Sequence, residues 1–454
     1  MCQAGLARTE RGVFGRRRPV AAPPPDPAAI TATADGEHGI VLGARLSGER
    51  ALPAAGRAVV LSPERLVHHL VVMGATGSGK TETALRIAWA TAKSSPGPVF
   101  FLDGKGDRQT AERFAGLMAS AGRTTRVFPD EAIDGWRGDA RAIANRLLEV
   151  VDYASDGPAA WYRDVAKLTI ALVCEHPDGP PASSAQALSR MDLDQLKAAH
   201  GPGSAAASLT SEQVRQVRLR YHAFFAHTAG ALDGDWSWDE TTAGYLLLDS
   251  LALKDETAHL SRFLFEDFVH YFTKRKARDQ PCLLVVDEFS ALAARAGVAE
   301  RIEQARAFNT SLVLCPQHAA GMGDQDQAAR ILGSVQTIVC HRINTPEEVI
   351  ALAGTRKTTE YSLHYGPRAT EPEGSARLQH QFNVDPNHVR ALPTGAAYVI
   401  SRGRAMKIQV TRAPDHRQTL PEPSPAPRRV ATPASLPATA AASPTTPVPA
   451  QLPF

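Results

Sequence analysis

Cysteine is scarce in this 454-residue chain: there are five, and no two stand as a C-x-x-C pair. That spacing argues against a disulfide framework. Cys282, Cys315 and Cys340 fall inside apolar runs and read as reduced core residues, which fits a cytoplasmic protein. Long hydrophobic runs are missing too, since no segment approaches the ~20 apolar residues that span a bilayer. Arg16, Arg17 and Arg18 have no hydrophobic stretch behind them, so the N-terminus does not read as a secretory signal. Net charge is small, +3 at pH 7, so any surface for a polyanion has to be local. What remains is an ordinary globular composition, long enough for two or three domains.

Glycine is concentrated at one informative place. The apolar run His69-Leu70-Val71-Val72-Met73 leads into Gly74-Ala75-Thr76-Gly77-Ser78-Gly79-Lys80-Thr81, a complete phosphate-binding loop. Gly74, Gly77 and Gly79 remove the Cβ atoms that would block close backbone approach. The loop, Gly74, Ala75, Thr76, Gly77, Ser78, Gly79, Lys80 and Thr81, can then curl its N–H groups around the α- and β-phosphates at the positive end of the following helix. Lys80 is expected to reach the β- and γ-phosphate oxygens, and the Thr81 hydroxyl to ligate Mg²⁺. The chain therefore reads as a binder of a nucleoside triphosphate, ATP with Mg²⁺.

Other short apolar runs, Val99–Leu102, Cys282–Val286, Ser311–Cys315 and Thr337–Cys340, alternate with helical spacing. That pattern predicts an α/β fold with a mainly parallel central sheet. A hairpin is expected at Ala397–Ile400 and Lys407–Val410 around Arg402-Gly403. The texture changes between Ala140 and Lys276, where strand signals fade and helical stretches appear at 142–151, 160–174, 211–229 and 256–272. The expected organisation is a basic, Pro-rich disordered arm (1–30) and the first part of a nucleotide-binding domain (31–139). An inserted all-α domain (140–276), the second part of the sheet domain (277–412) and a disordered Pro/Ala/Thr-rich tail (413–454) follow. Trp161, Tyr162, Trp236 and Trp238 are expected as packing anchors of the insert. The run Lys274-Arg275-Lys276 with Arg278 is expected to be a solvated helix end, a DNA contact being the minor alternative.

Leu283-Leu284-Val285-Val286-Asp287-Glu288 ends four apolar residues in two carboxylates, the Walker B pattern. The strand end would place Asp287 beside the metal and leave Glu288 to polarise the attacking water. About 200 residues separate Lys80 from this pair, against ~30 for one βαβ unit, and the helical insert accounts for the difference. Gln317, after the next strand, stands either as a sensor of the γ-phosphate and lytic water or as a turn residue. Arg306, just before that strand, stands either as an arginine finger toward a neighbouring subunit's nucleotide or as a solvated surface arginine. Asp103-Gly104-Lys105-Gly106-Asp107 suits a tight turn beside the nucleotide or a purely structural turn.

In this order the motifs resemble those of the conjugative coupling proteins of type IV secretion systems, the TraG/TraD group. The resemblance runs from His68 to Val410. It rests on the phosphate-binding loop, on Leu102-Asp103-Gly104-Lys105-Gly106-Asp107 and on Leu284-Val285-Val286-Asp287-Glu288-Phe289-Ser290-Ala291-Leu292. The segments Arg306 to Gln317, Leu332 to Glu348, and Ala353-Gly354 are also similar. It implies a RecA-like motor that assembles as a homo-hexamer, translocates DNA and delivers a relaxase–DNA cargo to a secretion channel. It also implies catalytic roles for Lys80, Glu288, Gln317 and Arg306. Members of that group usually carry N-terminal transmembrane helices, and no such segment is present here, so membrane contact is expected to be peripheral or through a partner. A soluble motor of the FtsK/HerA type and an ATP-dependent receptor for protein cargo are the alternatives.

Overall fold

The computed structural model describes residues 30–32, 38–47, 50–51, 58–153, 157, 160–248, 254–290, 298–364 and 373–420. The expected N-terminal arm, apart from Ile30, and the tail beyond Leu420 lie outside these residues. Among the described residues fifteen strands run in chain order. On the N-terminal side are β1 (Ile30–Ala32), β2 (His38–Ser47), β3 (Arg50–Ala51), β4 (Ala58–Leu61), β5 (Leu70–Met73), β6 (Val99–Asp103) and β7 (Thr125–Phe128). Then come β8 (Ala243–Leu247), β9 (Cys282–Asp287), β10 (Thr310–Cys315), β11 (Thr337–Cys340), β12 (Thr355–His364), β13 (Glu373–Phe382), β14 (Ala396–Ser401) and β15 (Arg404–Val410).

The uninterrupted apolar runs become strands buried on both faces, as a parallel sheet requires. Seven strands pair in parallel in the order β11-β5-β10-β9-β6-β8-β7, and β14, β15, β2 and β1 extend the β11 side antiparallel. Because successive side chains point to opposite faces, each strand feeds two cores. Leu70, Val72, Leu283, Val285 and Val313 pack with the helices that follow the phosphate-binding loop and β6. Val71, Met73, Leu284, Val286, Leu312 and Leu314 pack on the opposite face with the helical insert and the helices Val298–Ala305 and Gln325–Ser334. The expected hairpin is β14–β15, turned by Arg402 (φ 51°) and Gly403 (φ 70°), two left-handed residues as a tight two-residue turn demands.

Among the described residues up to Lys274 the α-helices are α1 (Pro63–Val67), α2 (Lys80–Ser94), α3 (Arg108–Ser120), α4 (Ala140–Glu149), α5 (Ala160–Cys174), α6 (Ser184–Arg190), α7 (Leu193–His200), α8 (Ser211–Thr228) and α9 (Lys254–Lys274). The expectation of an all-α insert over 140–276 needs correction, because β8 lies inside that span and pairs between β6 and β7. Its sequence, Ala-Gly-Tyr-Leu-Leu, is too short to separate a buried strand from a helix segment by periodicity. The insert also shares a core with the sheet: Phe100 on β6 meets the Trp238 ring edge-on at 4.9 Å and Phe268 of α9 at 5.8 Å. Trp236 and Trp238 are buried anchors as expected, whereas Trp161 and Tyr162, in the first turn of α5, are 50% and 46% exposed. Behind the aromatic layer, Arg146 of α4 forms a buried ion pair with Asp267 of α9, whose other oxygen accepts the Trp238 indole N–H at 2.7 Å.

Two further expectations change. Arg275 is buried rather than solvated and donates to the Phe308 carbonyl at 3.1 Å, tethering the end of α9 to the approach of β10. Residues 413–420 are not yet a free tail. Gln418 N donates to the Glu112 carbonyl at 3.1 Å, and Ala413 and Leu420 are buried. Gly116 permits this approach, since a Cβ there would lie 2.6 Å from the His416 carbonyl.

Candidate nucleotide site

The loop between β5 and α2 is shaped by its glycines. Gly77 has φ +72° with open space around it, and Gly79 caps α2 at φ +111°, conformations that side chains disfavour. A Cβ on Gly74 would lie 2.4 Å from Ser78 Oγ and 2.7 Å from His341 Cβ, so only glycine fits there. The loop is held from outside by residues that sequence reasoning did not single out. Ala75 N donates to the Arg342 carbonyl at 2.8 Å, and Gly395 N to the Ser78 carbonyl at 2.9 Å. His341 Nδ1 donates to the Ala396 carbonyl at 3.0 Å, which leaves Nε2 to accept from the Thr83 hydroxyl at 2.8 Å. Burial, with the Lys80 charge nearby, pushes this imidazole down to about 4 and keeps it neutral.

Lys80 is 4% exposed and its ammonium donates to the Gly74 carbonyl at 2.5 Å, folded back over the loop it would serve. Burial, then the charge of Lys105, lowers its pKa below the usual lysine value, with Asp287 acting against them. Thr81 Oγ1 donates to Asp287 Oδ2 at 2.9 Å across the gap between α2 and β9. The structure thus brings together the hydroxyl and carboxylate that the sequence assigned to Mg²⁺. Glu288 follows with φ +63°, a left-handed conformation that sends its side chain off the strand direction. There both carboxylate oxygens accept from Gln317 Nε2 at 3.2 Å, and Oε1 also accepts from Ser290 Oγ at 3.2 Å. The pairing of Gln317 with Glu288 follows from register, because Cys315 lies opposite Asp287 in the β10–β9 ladder.

Arg306 is elsewhere. It opens a short turn before β10, is exposed, and lies at the N-terminal end of a strand whose C-terminal end carries Gln317. At that same far edge His69, just before β5, has its pKa lowered by burial first and by the charge of Arg306 only last. Within one chain Arg306 does not reach the Lys80–Glu288 constellation.

The turn after β6 is the part sequence reasoning undervalued. Asp103 lies opposite Asp287 in the β6–β9 ladder, but its carboxylate is used internally. Oδ1 accepts from Lys105 N at 2.9 Å, and Oδ2 from Asp107 N at 3.0 Å and Tyr245 OH at 2.8 Å. Gly104 N donates to the Asp287 carbonyl at 3.2 Å. The turn so fixed delivers Lys105 Nζ to Asp287 Oδ2 at 2.9 Å. The clue lay in the D-G-K-G-D spacing: an acidic residue able to bond its own turn, and glycines on both sides of a lysine.

No family model matches the sequence, and no curated relative does. Solved structures do match. The bacterial conjugative coupling protein TrwBdeltaN70, in a trigonal form with sulfate, aligns with a TM-score of 0.60 at 15% identity, covering 81% of this chain and 91% of its own. The fold is RecA-like. Plasmid coupling protein TrwB in complex with the ATP analogue ADPNP aligns with a TM-score of 0.60 at 16% identity, over 83% of this chain and 95% of that one. VirB4 of Thermoanaerobacter pseudethanolicus aligns with a TM-score of 0.56 at 13% identity, over 85% and 99%. In this RecA-like sheet the candidate residues occupy the carboxyl ends of β5, β9 and β10, where open parallel sheets bind ligands. Among the described residues no helix is long and apolar enough to cross a membrane.

Proposed function

We propose that this chain is an ATPase that translocates DNA, of the coupling-protein kind, working with type IV secretion components. One observation carries the ATPase part: a buried loop lysine, a Thr81–Asp287 contact and a Glu288–Gln317 contact converge at one strand edge. The residues fit ATP and Mg²⁺. The loop has room only for glycine at position 74, Gly77 faces open space, and the Lys80 ammonium holds a single backbone oxygen that a phosphate would replace. TrwB has been crystallised with ADPNP and with ADP and Mg²⁺, which supports the same ligands here.

Bound Mg²⁺ would neutralise charge developing on the β- and γ-oxygens. Lys80 and the loop amides other than Ala75 N and Ser78 N, which donate to the Arg342 and Ala75 carbonyls, hold and orient the phosphates. Thr81 and Asp287 are the metal-facing pair. Glu288 accepts a proton from water, and Gln317, bonded to both oxygens of Glu288, sets the direction in which that carboxylate points. Arg306 serves a neighbouring subunit in a homo-hexamer, since its own site is out of reach.

The DNA part rests on the likeness to TrwB, a conjugative coupling protein, and with it come relaxase-bound DNA as cargo and a cytoplasmic place beside a membrane partner. Hydrolysis measured with and without single- and double-stranded DNA tests it. Stimulation by DNA, abolished in Lys80→Ala, is expected. In the same assay Arg306→Ala should hydrolyse slowly alone and regain activity when mixed with Lys80→Ala. Turnover indifferent to either form of DNA would replace the translocase reading by a protein-cargo receptor.

A further inference from the structure

A charge taken out of water is costly unless it is paired, and Asp287, 1% exposed, has a cation from the chain itself beside it. Lys105 Nζ lies 2.9 Å from Oδ2, the oxygen that also accepts from Thr81, while Oδ1 accepts from Glu288 N at 3.1 Å. The lysine is aimed there by construction. Its amide is fixed by Asp103, its neighbour Gly104 is fixed by the Asp287 carbonyl, and Gly106 at φ +71° turns the chain back. A Cβ on Gly104 would stand 3.0 Å from Glu288 Cβ, so the turn lies flat against the catalytic pair. The side chain itself remains 37% exposed, so its flexible stem can swing while the backbone stays anchored.

The ammonium group and a hydrated divalent cation would compete for the same side of the same oxygen. We infer that Lys105 is a built-in counter-ion for the metal-facing carboxylate, one that exchanges with Mg²⁺ when the metal arrives with nucleotide. This rests on the nucleotide-site reading above. Lys105 is a positioning residue: with the metal absent it screens Asp287 from the phosphates, and with the metal present it is displaced into the solvent that its side chain already reaches. The requirement for Mg²⁺ in nucleotide binding is therefore set by Lys105 as much as by Thr81 and Asp287.

Binding of a fluorescent ADP to the full chain, in Mg²⁺ and in EDTA, tests the exchange. In EDTA, Lys105→Met should bind about tenfold more weakly than the native chain or worse, the order expected for one unit charge a few ångströms from phosphate in a partly buried site. In Mg²⁺ it should bind equally or more tightly, with half-saturation at lower Mg²⁺, and Lys105→Arg should resemble the native chain. An equal loss in both conditions would mean that Lys105 simply grips phosphate, and no change in either would mean that it plays no part; each overturns the inference.

Thermal unfolding without nucleotide gives a separate arm. Lys105→Met should lower the midpoint in the native background and leave it unchanged in Asp287→Asn. Added Mg²⁺ should raise the midpoint of Lys105→Met more than that of the native chain, and an equal rise in both would sink the exchange. A native chain that binds no nucleotide would overturn the nucleotide-site reading, while the Mg²⁺ dependence of melting would still decide the role of Lys105.

Discussion

Glu288, the proposed general base, sits in strained backbone, and both the strain and the proposed role can be measured. Its φ of +63° places a side-chain-bearing residue in the left-handed region, at a cost of roughly 1–2 kcal/mol. Glycine carries no such penalty but loses about 0.5–1 kcal/mol more conformational entropy on folding than alanine. Glu288→Ala and Glu288→Gly both delete the carboxylate and release Gln317 and Ser290, so those losses cancel between them. What remains is the backbone difference, and it favours glycine by about 0.5–1 kcal/mol, the reverse of the order in a helix or strand. Urea unfolding of the two variants reads that difference from their midpoints, provided their slopes agree. Both should lose about 10²–10⁴ in hydrolysis, the share typical of a general base, while Glu288→Gln keeps nucleotide binding and loses the same turnover. An alanine variant as stable as the glycine variant would refute the strain argument. Normal turnover in Glu288→Gln would remove the carboxylate from its catalytic role.

Two further predictions concern buried charge. Asp267→Ala strands the fully buried Arg146 guanidinium and the Trp238 indole, and should destabilise the chain by about 3–5 kcal/mol. The double variant Arg146→Met/Asp267→Leu should recover most of that loss in urea unfolding, and failure to recover would show that packing, not charge, dominates the site. His69 and His341 are held by burial at about 4, below their ordinary 6.5. Between those values the unfolded chain takes up protons that the folded chain refuses, so stability is complete above pH 6.5 and falls as pH drops toward 4, by up to about 3 kcal/mol per histidine. Unfolding midpoints from pH 7 to pH 5 should show the decline, and His341→Gln should flatten it; an unchanged slope would refute the assignment.

Much of the sheet was legible because its central strands are buried on both faces. Such strands must be written as continuous apolar runs, and Leu70–Met73, Val99–Leu102 and Cys282–Val286 are written that way. β8 was hidden because a buried five-residue strand next to helical sequence carries no period of its own. β12 and β13 were hidden for the opposite reason: among the described residues they pair only with each other, and Thr355–Glu360 and Arg377–Gln381 present almost no apolar stripe.

The nucleotide loop, by contrast, is a local object. Its chemistry needs glycines, a lysine and a threonine at fixed short spacing, so Gly74–Thr81 could be identified from sequence alone, as could the acidic pair closing β9. The partners of those residues come from far along the chain. The contacts of Lys105 and Thr81 with Asp287, of Gln317 with Glu288, and of His341 with Thr83 depend on strand order and register. The distance of Arg306 from its own site depends on which end of β10 it occupies. The sequence by itself determined which groups are the candidates for phosphate and metal, because short-range backbone geometry demands those residue types. Only the tertiary structure decided which cation faces Asp287 and which amide steers Glu288, because strand pairing, not proximity in sequence, brings those atoms within reach.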